Sequence, residues 1–358
     1  MKKVAVIGTV GVPAKYGGFE TLVENIIGDN CSEGVEYSIY CSSKSYQQQS
    51  KEYKGAKLKY IPLKANGAQS ILYDIVSVFC AINHADVLLI LGVSGCLILP
   101  SVRIFSRKKI IVNIDGLEHR RDKWSPIIRK FLKFSEKIAV YNADIIVADN
   151  KAIQDYVSAE YGIKSNLIAY GGDHVLCDVS QTQADILTQY QIKYGEFSFS
   201  LCRIEPENNV HIALEAFAQN GRELLFVGNW NNSEYGKSLL EKYGSYKNIK
   251  MLAPIYDLPT LNVLRSNCQF YLHGHSAGGT NPSLVEAMFF GKPILAFDCS
   301  YNRESTENKA HYFANYSQLK ELMDNEYIYF ETNATEMSEI ANRRYQWKWI
   351  AKQYEGLY

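Results

Sequence analysis

The sequence predicts two α/β domains, each a mostly parallel sheet covered by helices on both faces. Three observations support this fold. Short β-branched runs alternate with longer segments of helical spacing, most of these runs are apolar throughout, and the alternation restarts after a polar stretch at 171–196. Strands that are apolar on both faces belong to parallel sheets buried between helices. A chain of 358 residues also has the length of two domains of about 150 residues each.

The first series contains seven β-branched or aromatic runs of strand length. The predicted strands are 4–8, 37–41, 58–61, 87–91, 110–114, 145–148 and 167–170. Between them, 69–84 and 126–142 repeat apolar residues at helical spacing. We therefore assign 1–172 to an N-terminal α/β domain.

The second series repeats the pattern with five further runs. The predicted strands are 198–202, 224–227, 249–252, 270–272 and 294–297, with helices at 209–220 and 283–290. These elements define a second domain at 173–339, reached through a weakly patterned linker. Ligands of doubly wound sheets bind beyond the carboxyl ends of the strands, so the loops that follow strands are the candidate sites.

Composition excludes several classes of protein. Lys plus Arg and Asp plus Glu are 38 each, which argues against a generally basic nucleic-acid binder. The eight cysteines are far apart and form no CxxC pair, so we expect no disulfide framework and a cytoplasmic location. The longest apolar run, 87–100, is too short to span a bilayer. The first residues superficially resemble a signal peptide, but Gly8 and Gly11 interrupt the apolar stretch.

A glycine-rich loop follows the first predicted strand and contains Gly8, Gly11, Gly17 and Gly18. Such a loop lets backbone amides approach a phosphate at the start of a helix. Its spacing is not GxGxxG, and the second strand ends in Cys41-Ser-Ser-Lys without the acid that holds an NAD ribose. Thr21 and Glu24 have the spacing of a capping box for the helix that follows.

A second glycine-containing loop follows the strand at 270–272. It reads His273-Gly-His-Ser-Ala-Gly-Gly-Thr-Asn-Pro-Ser-Leu-Val-Glu286. Asn281 fits a helix N-cap and Pro282 the first helical position, so Gly279 and Thr280 would present amides at a helix start. Glu286 lies on the same helical face as Pro282. A carboxylate in so apolar a helix needs a partner, which favours a ligand-binding role over a solvated glutamate.

Two further loops place charged residues after strands. Arg203, with Glu205 and Glu207 nearby, follows the first strand of the second domain. The arginine suits a diphosphate, and the alternative is a surface salt bridge with one of the glutamates. Asp115 follows the strand at 110–114 and precedes a glycine. We expect it to face the ligand edge of the sheet, and the alternative is an Asx turn.

These motifs together resemble one enzyme family. Arg203-Ile-Glu-Pro-Glu, Gly279-Thr-Asn-Pro-Ser-Leu-Val-Glu286-Ala-Met and the Gly17-Gly18 loop resemble the retaining glycosyltransferases of family GT4. Pro13-Ala-Lys-Tyr-Gly-Gly-Phe-Glu-Thr21, Ile114-Asp-Gly-Leu-Glu118 and His273-Gly-His-Ser276 are similar to its rhamnosyltransferase-like branch, which has a DUF1972-type N-terminal domain. The resemblance covers nearly the whole chain in the right order.

The resemblance implies a GT-B fold: two Rossmann-like domains facing a central cleft, with a last segment at about 340–358 packing back on the first domain. It implies that Arg203 binds the donor diphosphate, that amides near Gly279 and Thr280 bind phosphate and sugar, and that Glu286 binds the ribose. The full set of donor-binding residues it implies is Gly17, Gly18, Arg203, Asn208, Asn209, His275, Gly279, Thr280, Asn281 and Glu286. Asp115 falls where many members have a catalytic histidine, and Glu205 and Glu207 are expected to assist.

The chain departs from the wider GT4 pattern at two positions. Gly278 replaces the first glutamate of the usual two-glutamate motif, and Asn208 replaces the usual diphosphate lysine. The rhamnosyltransferase-like branch shares both departures, which favours a different donor. No two aspartates are two residues apart, so we expect neither a DxD metal site nor a cofactor beyond the nucleotide sugar itself.

The acceptor side is predicted from residues 103–137, which hold 11 basic and 4 acidic side chains. A basic amphipathic helix of this kind can lie on an anionic membrane, and the alternative is a solvated helix with its apolar side in the core. The candidate acceptor or membrane residues are Glu118, His119, Arg120, Arg121, Arg129, Lys130 and Lys133. The family typically extends lipid-diphosphate-linked saccharides, which implies a peripheral position on the inner face of the plasma membrane.

The sequence therefore predicts a retaining, metal-independent glycosyltransferase that moves L-rhamnose from dTDP-β-L-rhamnose onto a lipid-linked saccharide in bacterial polysaccharide biosynthesis. A UDP-hexose donor and a sugar-nucleotide epimerase of the same fold are the alternatives. An NAD(P)-dependent oxidoreductase lacks its fingerprint here, and a non-catalytic sugar-binding protein would normally carry a signal peptide.

Overall fold

The computed structural model describes residues 1–15, 17–28, 32–114, 116–120, 124–325 and 330–358. The chain forms two compact units. The first unit comprises Met1–Tyr170 and Trp347–Tyr358, and the second comprises Gly171–Gln346.

The first unit is built on an eight-stranded sheet in the order β3-β4-β2-β1-β5-β6-β7-β8. All of its pairings are parallel except that of β3 with β4. Its strands are β1 Lys2–Ile7, β2 Val35–Ser42, β3 Glu52–Tyr53, β4 Ala56–Ile61, β5 Val87–Leu91, β6 Lys109–Asn113, β7 Ile145–Ala148 and β8 Asn166–Leu167. Its helices are α1 Gly18–Ile26, α2 Ser70–Ile82, α3 Leu99–Phe105, α4 Pro126–Asn142, α5 Lys151–Tyr161 and, from the end of the chain, α14 Trp347–Glu355.

The second unit is built on a six-stranded, wholly parallel sheet in the order β11-β10-β9-β12-β13-β14. Its strands are β9 Phe197–Leu201, β10 Glu223–Val227, β11 Ile249–Leu252, β12 Phe270–His273, β13 Ile294–Phe297 and β14 His311–Phe313. Its helices are α6 Gln183–Gln189, α7 Val210–Asn220, α8 Glu234–Tyr243, α9 Leu258–Asn267, α10 Pro282–Met288, α11 Ser300–Ser305, α12 Tyr316–Asp324 and α13 Phe330–Arg344.

The burial of the central strands explains why apolar runs in the sequence predict them. All five residues of β5 are buried, because helices cover both faces of the sheet. The prediction of parallel α/β sheets is confirmed, and all twelve predicted strands are present. The sequence did not reveal β3 and β14, which have only two and three residues and lie at sheet edges. Such short strands carry no recognisable period-2 pattern.

The expectation that 340–358 packs on the first domain applies to only part of that segment. Residues 340–344 complete α13, which packs against α10 in the second unit. Arg344 is fixed there by Glu304, at 2.6 Å between Nη2 and Oε1. Only 347–358 belongs to the first unit, where the Tyr354 hydroxyl accepts a hydrogen bond from Asn113 Nδ2 at 2.8 Å.

The structure bears on the expectations about membrane-spanning segments and disulfides. In the part of the chain that the structure describes, no helix is both long enough and apolar enough to cross a bilayer. The seven cysteines within that part all carry free thiols, and Cys31 lies outside it.

Candidate functional site

The loop that follows β9 carries the first predicted site residues of the second unit. Arg203 is partly exposed, and its Nη1 lies 3.7 Å from Glu205 Oε1. The salt bridge considered as the alternative role of Arg203 is therefore present. At 3.7 Å it is a loose pair between partly exposed groups, which contributes little and leaves the guanidinium able to exchange its partner for a diphosphate. The second carboxylate oxygen of Glu205 is buried and accepts no hydrogen bond.

Asn208 joins this loop to the loop that follows β12. Its side chain is buried, with Nδ2 donating to the Arg203 carbonyl at 2.6 Å and Oδ1 bonded to His275 Nδ1. Because Oδ1 can only accept, His275 carries its proton on Nδ1, and in the neutral ring Nε2 is an acceptor. Both polar atoms of Asn208 are thus engaged within the protein, so its position supports the site rather than presenting a side chain to a ligand.

Neighbouring residues complete this connection. Asn209, at φ 49°, donates from Nδ2 to the Gly274 carbonyl at 2.9 Å. The Glu207 carbonyl accepts from Ser276 N at 2.9 Å and from Ser276 Oγ at 2.8 Å. These contacts fix the two loops to each other at the carboxyl end of the sheet.

His273 ends β12 and is buried. Burial lowers the pKa of its imidazole to about 3, so the ring is neutral at physiological pH. Its Nε2 is buried and has no hydrogen-bond partner. The ring is stacked on Tyr271, with centroids 6.5 Å apart.

The start of α10 has the predicted capping arrangement. Asn281 is the N-cap, and its Oδ1 accepts from Ser283 N at 3.0 Å and from Ser283 Oγ at 2.8 Å. Pro282 occupies the first turn, as expected. Thr280 is buried, and Gly279 before it is partly exposed. The helix has only seven residues, so the contribution of its dipole is small and the loop amides matter more.

Glu286 has the partner that its apolar helix requires. Its Oε2 forms an ion pair with Nη2 of Arg265, a residue of α9 that is only 2% exposed. Its Oε1 lies 3.6 Å from His174 Nε2. The glutamate side chain itself is 14% exposed. The alternative of a solvated surface glutamate is therefore wrong.

Arg265 and His174 were not identified from the sequence. Arg265 precedes Glu286 by 21 residues and looks like an ordinary helix arginine. Its Nε and Nη1 are buried without partners, which is costly for a guanidinium and marks a polar interior around Glu286. A buried charge of the opposite sign two elements away leaves no local pattern that could have revealed the pair.

The segment that leads to His174 packs closely on α10. A Cβ at Gly172 would lie 2.9 Å from Glu286 N and from the Val285 carbonyl oxygen. Only glycine permits this approach, which brings His174 next to the Glu286 carboxylate.

The glycine loop of the first unit is organised by two carboxylates of α1. Glu20 is buried and accepts from Thr9 Oγ1 at 2.9 Å and from Val10 N at 2.7 Å. Its Oε2 would lie 2.0 Å from a Cβ at Gly17, which has φ 129° and is the N-cap of α1. Gly17 is thus needed for the loop itself, independently of any diphosphate. Gly18 is the first residue of α1.

The capping box predicted for Thr21 and Glu24 is wrong. Glu24 instead accepts from Ala14 N and from the Tyr53 hydroxyl, both at 2.5 Å. Thr21 Oγ1 donates to the Gly17 carbonyl at 3.0 Å. The loop before α1 is long enough to fold back along the helix, so that the Ala14 amide of this loop donates to Glu24.

The loop that follows β6 holds several predicted residues of the first unit. Asp115 and Arg121 lie outside the described residues. Glu118 Oε2 accepts from Trp124 Nε1 at 2.9 Å. The Arg120 guanidinium lies 4.7 Å from the centre of the Tyr156 ring.

In helix α4 the buried side is not wholly apolar and the exposed side is not wholly polar. Leu132, Glu136 and Ala139 are buried, whereas Ile127 and Phe134 are 81% and 57% exposed. Part of the apolar side of this helix therefore faces solvent, which the core-facing alternative does not explain.

No group of three or more His, Cys, Asp or Glu side chains in the described ranges is placed to hold a metal ion. The charged groups at the candidate site of the second unit are instead Arg203, Glu205, Arg265 and Glu286.

Comparison with solved structures identifies the fold as GT-B. The structure matches sucrose-phosphate synthase from Thermosynechococcus elongatus with a TM-score of 0.82 at 15% identity, covering 100% of this chain and 98% of that chain. It matches Anabaena HepE in complex with UDP-glucose with a TM-score of 0.78 at 16% identity, covering 99% and 98%. It also matches S. aureus MnaA in a co-structure with UDP, with a TM-score of 0.65 at 15% identity, covering 100% and 98%.

Two family matches define the class further. Residues 187–341 match the family described as glycosyl transferases group 1, and residues 1–173 match a domain of unknown function, DUF1972. No curated protein matches the chain. The protein is a glycosyltransferase of the GT-B type, with a glycosyl transferases group 1 domain following a DUF1972 domain.

Proposed function

We propose that this glycosyltransferase moves L-rhamnose from dTDP-β-L-rhamnose onto a lipid-linked saccharide in bacterial polysaccharide biosynthesis, with retention of configuration. The observation that carries the proposal is the arrangement of charge in the second unit. A loosely paired Arg203 follows β9, and the carboxylate of Glu286 on α10 is held by Arg265 on α9. A cation for a diphosphate and a fixed acceptor of hydrogen bonds for a ribose are what a nucleotide-sugar site needs.

The reaction requires stabilisation of a departing nucleoside diphosphate. Arg203 supplies charge-assisted hydrogen bonds, and the amides of Gly279 and Thr280 supply further donors. The bond between the sugar C1 and the phosphate oxygen breaks, and a bond forms from C1 to the acceptor oxygen on the same face. The acceptor proton passes to the leaving phosphate oxygen, so no further base is consumed. In this proposal Asp115 orients the acceptor or the sugar, and Glu205 and Glu207 assist the transfer.

The first experiment is a thermal-shift panel of dTDP, UDP, GDP, ADP and NAD, with EDTA present. A ligand at 100 times its Kd adds about 2.7 kcal/mol to stability, a shift that is readily measured. Stabilisation by dTDP supports the proposed donor, and stabilisation by UDP supports the alternative hexose donor. Stabilisation by NAD alone contradicts the proposal. Turnover that depends on an added divalent cation would contradict metal-independent transfer.

Two alternatives draw on the named structural neighbours. HepE is described in complex with UDP-glucose, which favours a UDP-hexose as the second candidate donor. MnaA is described with UDP, which likewise favours a uridine nucleotide. A sugar-nucleotide epimerase of this fold is the more distant candidate. An epimerase converts its nucleotide sugar in the absence of any acceptor, whereas a transferase releases nucleoside diphosphate and requires the acceptor for a glycosidic product.

We also propose that the first unit touches an anionic membrane at the inner face of the plasma membrane, where a lipid-linked acceptor resides. Ile104 and Phe105 at the end of α3 are 76% and 84% exposed, and α3 packs against α4. Arg107 and Lys108 follow α3 directly. Exposed apolar side chains beside cations suit an anionic bilayer surface. Failure to bind anionic liposomes at physiological salt would contradict this contact.

A further inference from the structure

A cavity of about 490 Å³ opens in the first unit between α4 and α5. Its volume is within the range of small-molecule sites. Its lining carries four cations and a single carboxylate. The cations are Arg129, Lys130, Lys133 and Lys137, and the carboxylate is Glu160. Phe134 and Tyr141 also line the cavity. With histidine neutral, the lining residues carry an excess of three positive charges, and the buried carboxylate of Glu136 next to Lys133 reduces it to two. The cavity therefore favours a ligand with several negative charges.

A buried carboxylate beside the cavity fixes part of this lining. Glu136 accepts from His119 Nδ1 at 3.0 Å and from the hydroxyls of Tyr156 and Tyr161, both at 2.6 Å. Burial alone would raise the pKa of Glu136, but these hydrogen bonds outweigh it and hold the pKa below its usual value. Glu136 is therefore ionised and satisfied within the protein, and it orients His119 towards the cavity.

Lys133 differs from the other two lysines of the lining in having carboxylate neighbours among the residues that the structure describes. Lys133 Nζ lies 2.8 Å from Glu160 Oε1 and 3.4 Å from Glu136 Oε1. Within the described ranges, no carboxylate lies within 4.0 Å of the ammonium groups of Lys130 and Lys137. These two lysines are exposed on α4, and their charge is available to a ligand.

The same face of α4 also presents aromatic side chains. Lys130, Phe134, Lys137 and Tyr141 follow one another at spacings of four, three and four residues, so they form one stripe along the helix. Phe134 and Tyr141 are both more than half exposed. Cations that alternate with exposed aromatic rings suit a ligand with an anionic group next to an apolar one.

From this geometry we propose that the cavity binds the diphosphate group of the lipid-linked acceptor, with Lys130 and Lys137 contacting the diphosphate and Phe134 and Tyr141 contacting the adjoining lipid. This proposal rests on the proposed function, because it assumes an acceptor of that class. A diphosphate matches the charge excess of the lining better than the single charge of a common anionic phospholipid headgroup.

The test is binding of farnesyl diphosphate to the full chain without donor, measured by calorimetry. Farnesyl monophosphate, inorganic diphosphate and phosphatidylglycerol vesicles serve as the other probes. We expect farnesyl diphosphate to bind at least about tenfold more tightly than the monophosphate, because each charge-assisted bond contributes a factor of that order. The double variant Lys130→Gln/Lys137→Gln should lose at least about tenfold in farnesyl diphosphate affinity.

A matched control is Lys51→Gln/Lys59→Gln, which removes the same charge from exposed positions elsewhere in the first unit. It should bind farnesyl diphosphate like the wild type. Unchanged farnesyl diphosphate affinity in the cavity variant overturns the proposal, and so does an equal loss in the control. Loss of vesicle binding alone assigns the lysines to the membrane surface and also overturns it. Inorganic diphosphate binding as tightly as farnesyl diphosphate would exclude the lipid part.

Failure of the proposed function is distinguishable from failure of this inference. The nucleotide thermal shift reports on the donor site and should be the same in the wild type and in the cavity variant. A wild type that binds neither dTDP nor UDP contradicts the proposed donor chemistry, whatever farnesyl diphosphate does.

Discussion

The guanidinium of Arg265 and the carboxylate of Glu286 form a buried ion pair that links α9 to α10 in the second unit. The pair accounts for a charged residue in an otherwise apolar helix. It also orients Glu286, because one carboxylate oxygen is held by Arg265 and the other faces His174 at 3.6 Å. Arg265 is in this sense a positioning residue for the candidate ribose contact.

Arg265→Met should destabilise the second unit by roughly 3–5 kcal/mol, because it leaves the Glu286 carboxylate buried without its partner. Thermal or urea unfolding measures the loss. The double variant Arg265→Met/Glu286→Leu should recover much of the stability, since a buried pair replaced by apolar residues is often tolerated. It should not recover nucleotide affinity.

The control for this change is Arg222→Met. Arg222 is partly exposed and its Nε lies 3.6 Å from Asp324 Oδ1, so its removal should alter stability by no more than about 0.5 kcal/mol. Equal effects of the two single substitutions would show that the Arg265 pair has no special importance.

Arg203→Met should weaken nucleoside diphosphate binding by about 10- to 100-fold, the loss expected for a hydrogen bond to a charged group. Stability without nucleotide should hardly change, because the 3.7 Å contact with Glu205 is loose and partly exposed. Calorimetry with dTDP and UDP measures the affinity. A large loss of stability with normal affinity would indicate that the arginine is structural.

Asp74→Asn should change the pH dependence of stability. Burial raises the pKa of the Asp74 carboxyl from 3.8 to about 7, while a hydrogen bond from Ser94 partly opposes the shift. Between these two pH values the folded chain holds a proton that the unfolded chain has lost, so the contribution of this group to stability falls as pH rises. The asparagine cannot ionise and should escape this decline.

Unfolding of the wild type and the Asp74→Asn variant at pH 5, 6.5 and 8 tests this expectation. The stability of the variant relative to the wild type should increase at each step. A difference that stays constant across this range would mean that Asp74 does not titrate there.

Asp115→Asn should reduce turnover by about 100-fold or more while leaving nucleotide binding intact, because a positioned carboxylate acts in the transition state. Rates with the donor and a lipid-linked acceptor measure it. Asn keeps the size of the side chain, so full turnover in the variant would remove Asp115 from the mechanism.

Phe105→Ser should weaken binding to anionic vesicles by about tenfold. Complete transfer of a phenylalanine side chain from water to an apolar environment contributes about 1.5–3 kcal/mol to the free energy of binding. Vesicle sedimentation at physiological salt measures the change. Tyr246, exposed in the second unit, provides the matched control Tyr246→Ser, which should bind vesicles normally. Equal binding by both variants would argue against contact through α3.

Much of the fold could be predicted because its signals are local. The largely buried strands β5, β7 and β13 have the bounds that their apolar runs predicted. The edge strand β11 also has its predicted bounds, although only Ile249 of it is buried. The N-cap at Asn281 followed from residue chemistry within one turn. Such signals need no knowledge of which segments later meet.

The candidate site was predicted only in part. Arg203 and Glu286 stood out because charged residues followed or interrupted apolar elements. Arg265 did not, since its burial depends on how α9 packs against α10. The family resemblance predicts Asn208 as a contact of the donor, yet its side chain joins two loops through His275, 67 residues away.

By itself the sequence determined the α/β class, the two series of strands and the loops where chemistry is placed, because apolar period and capping act over a few residues. The tertiary structure decided which charges are paired. It placed Glu286 on Arg265 and Glu136 among His119 and two tyrosines. Among the residues that the structure describes, it placed no carboxylate within 4.0 Å of Lys130 or Lys137. Charge pairing depends on distances between residues far apart in the chain, and these distances exist only once the helices have packed.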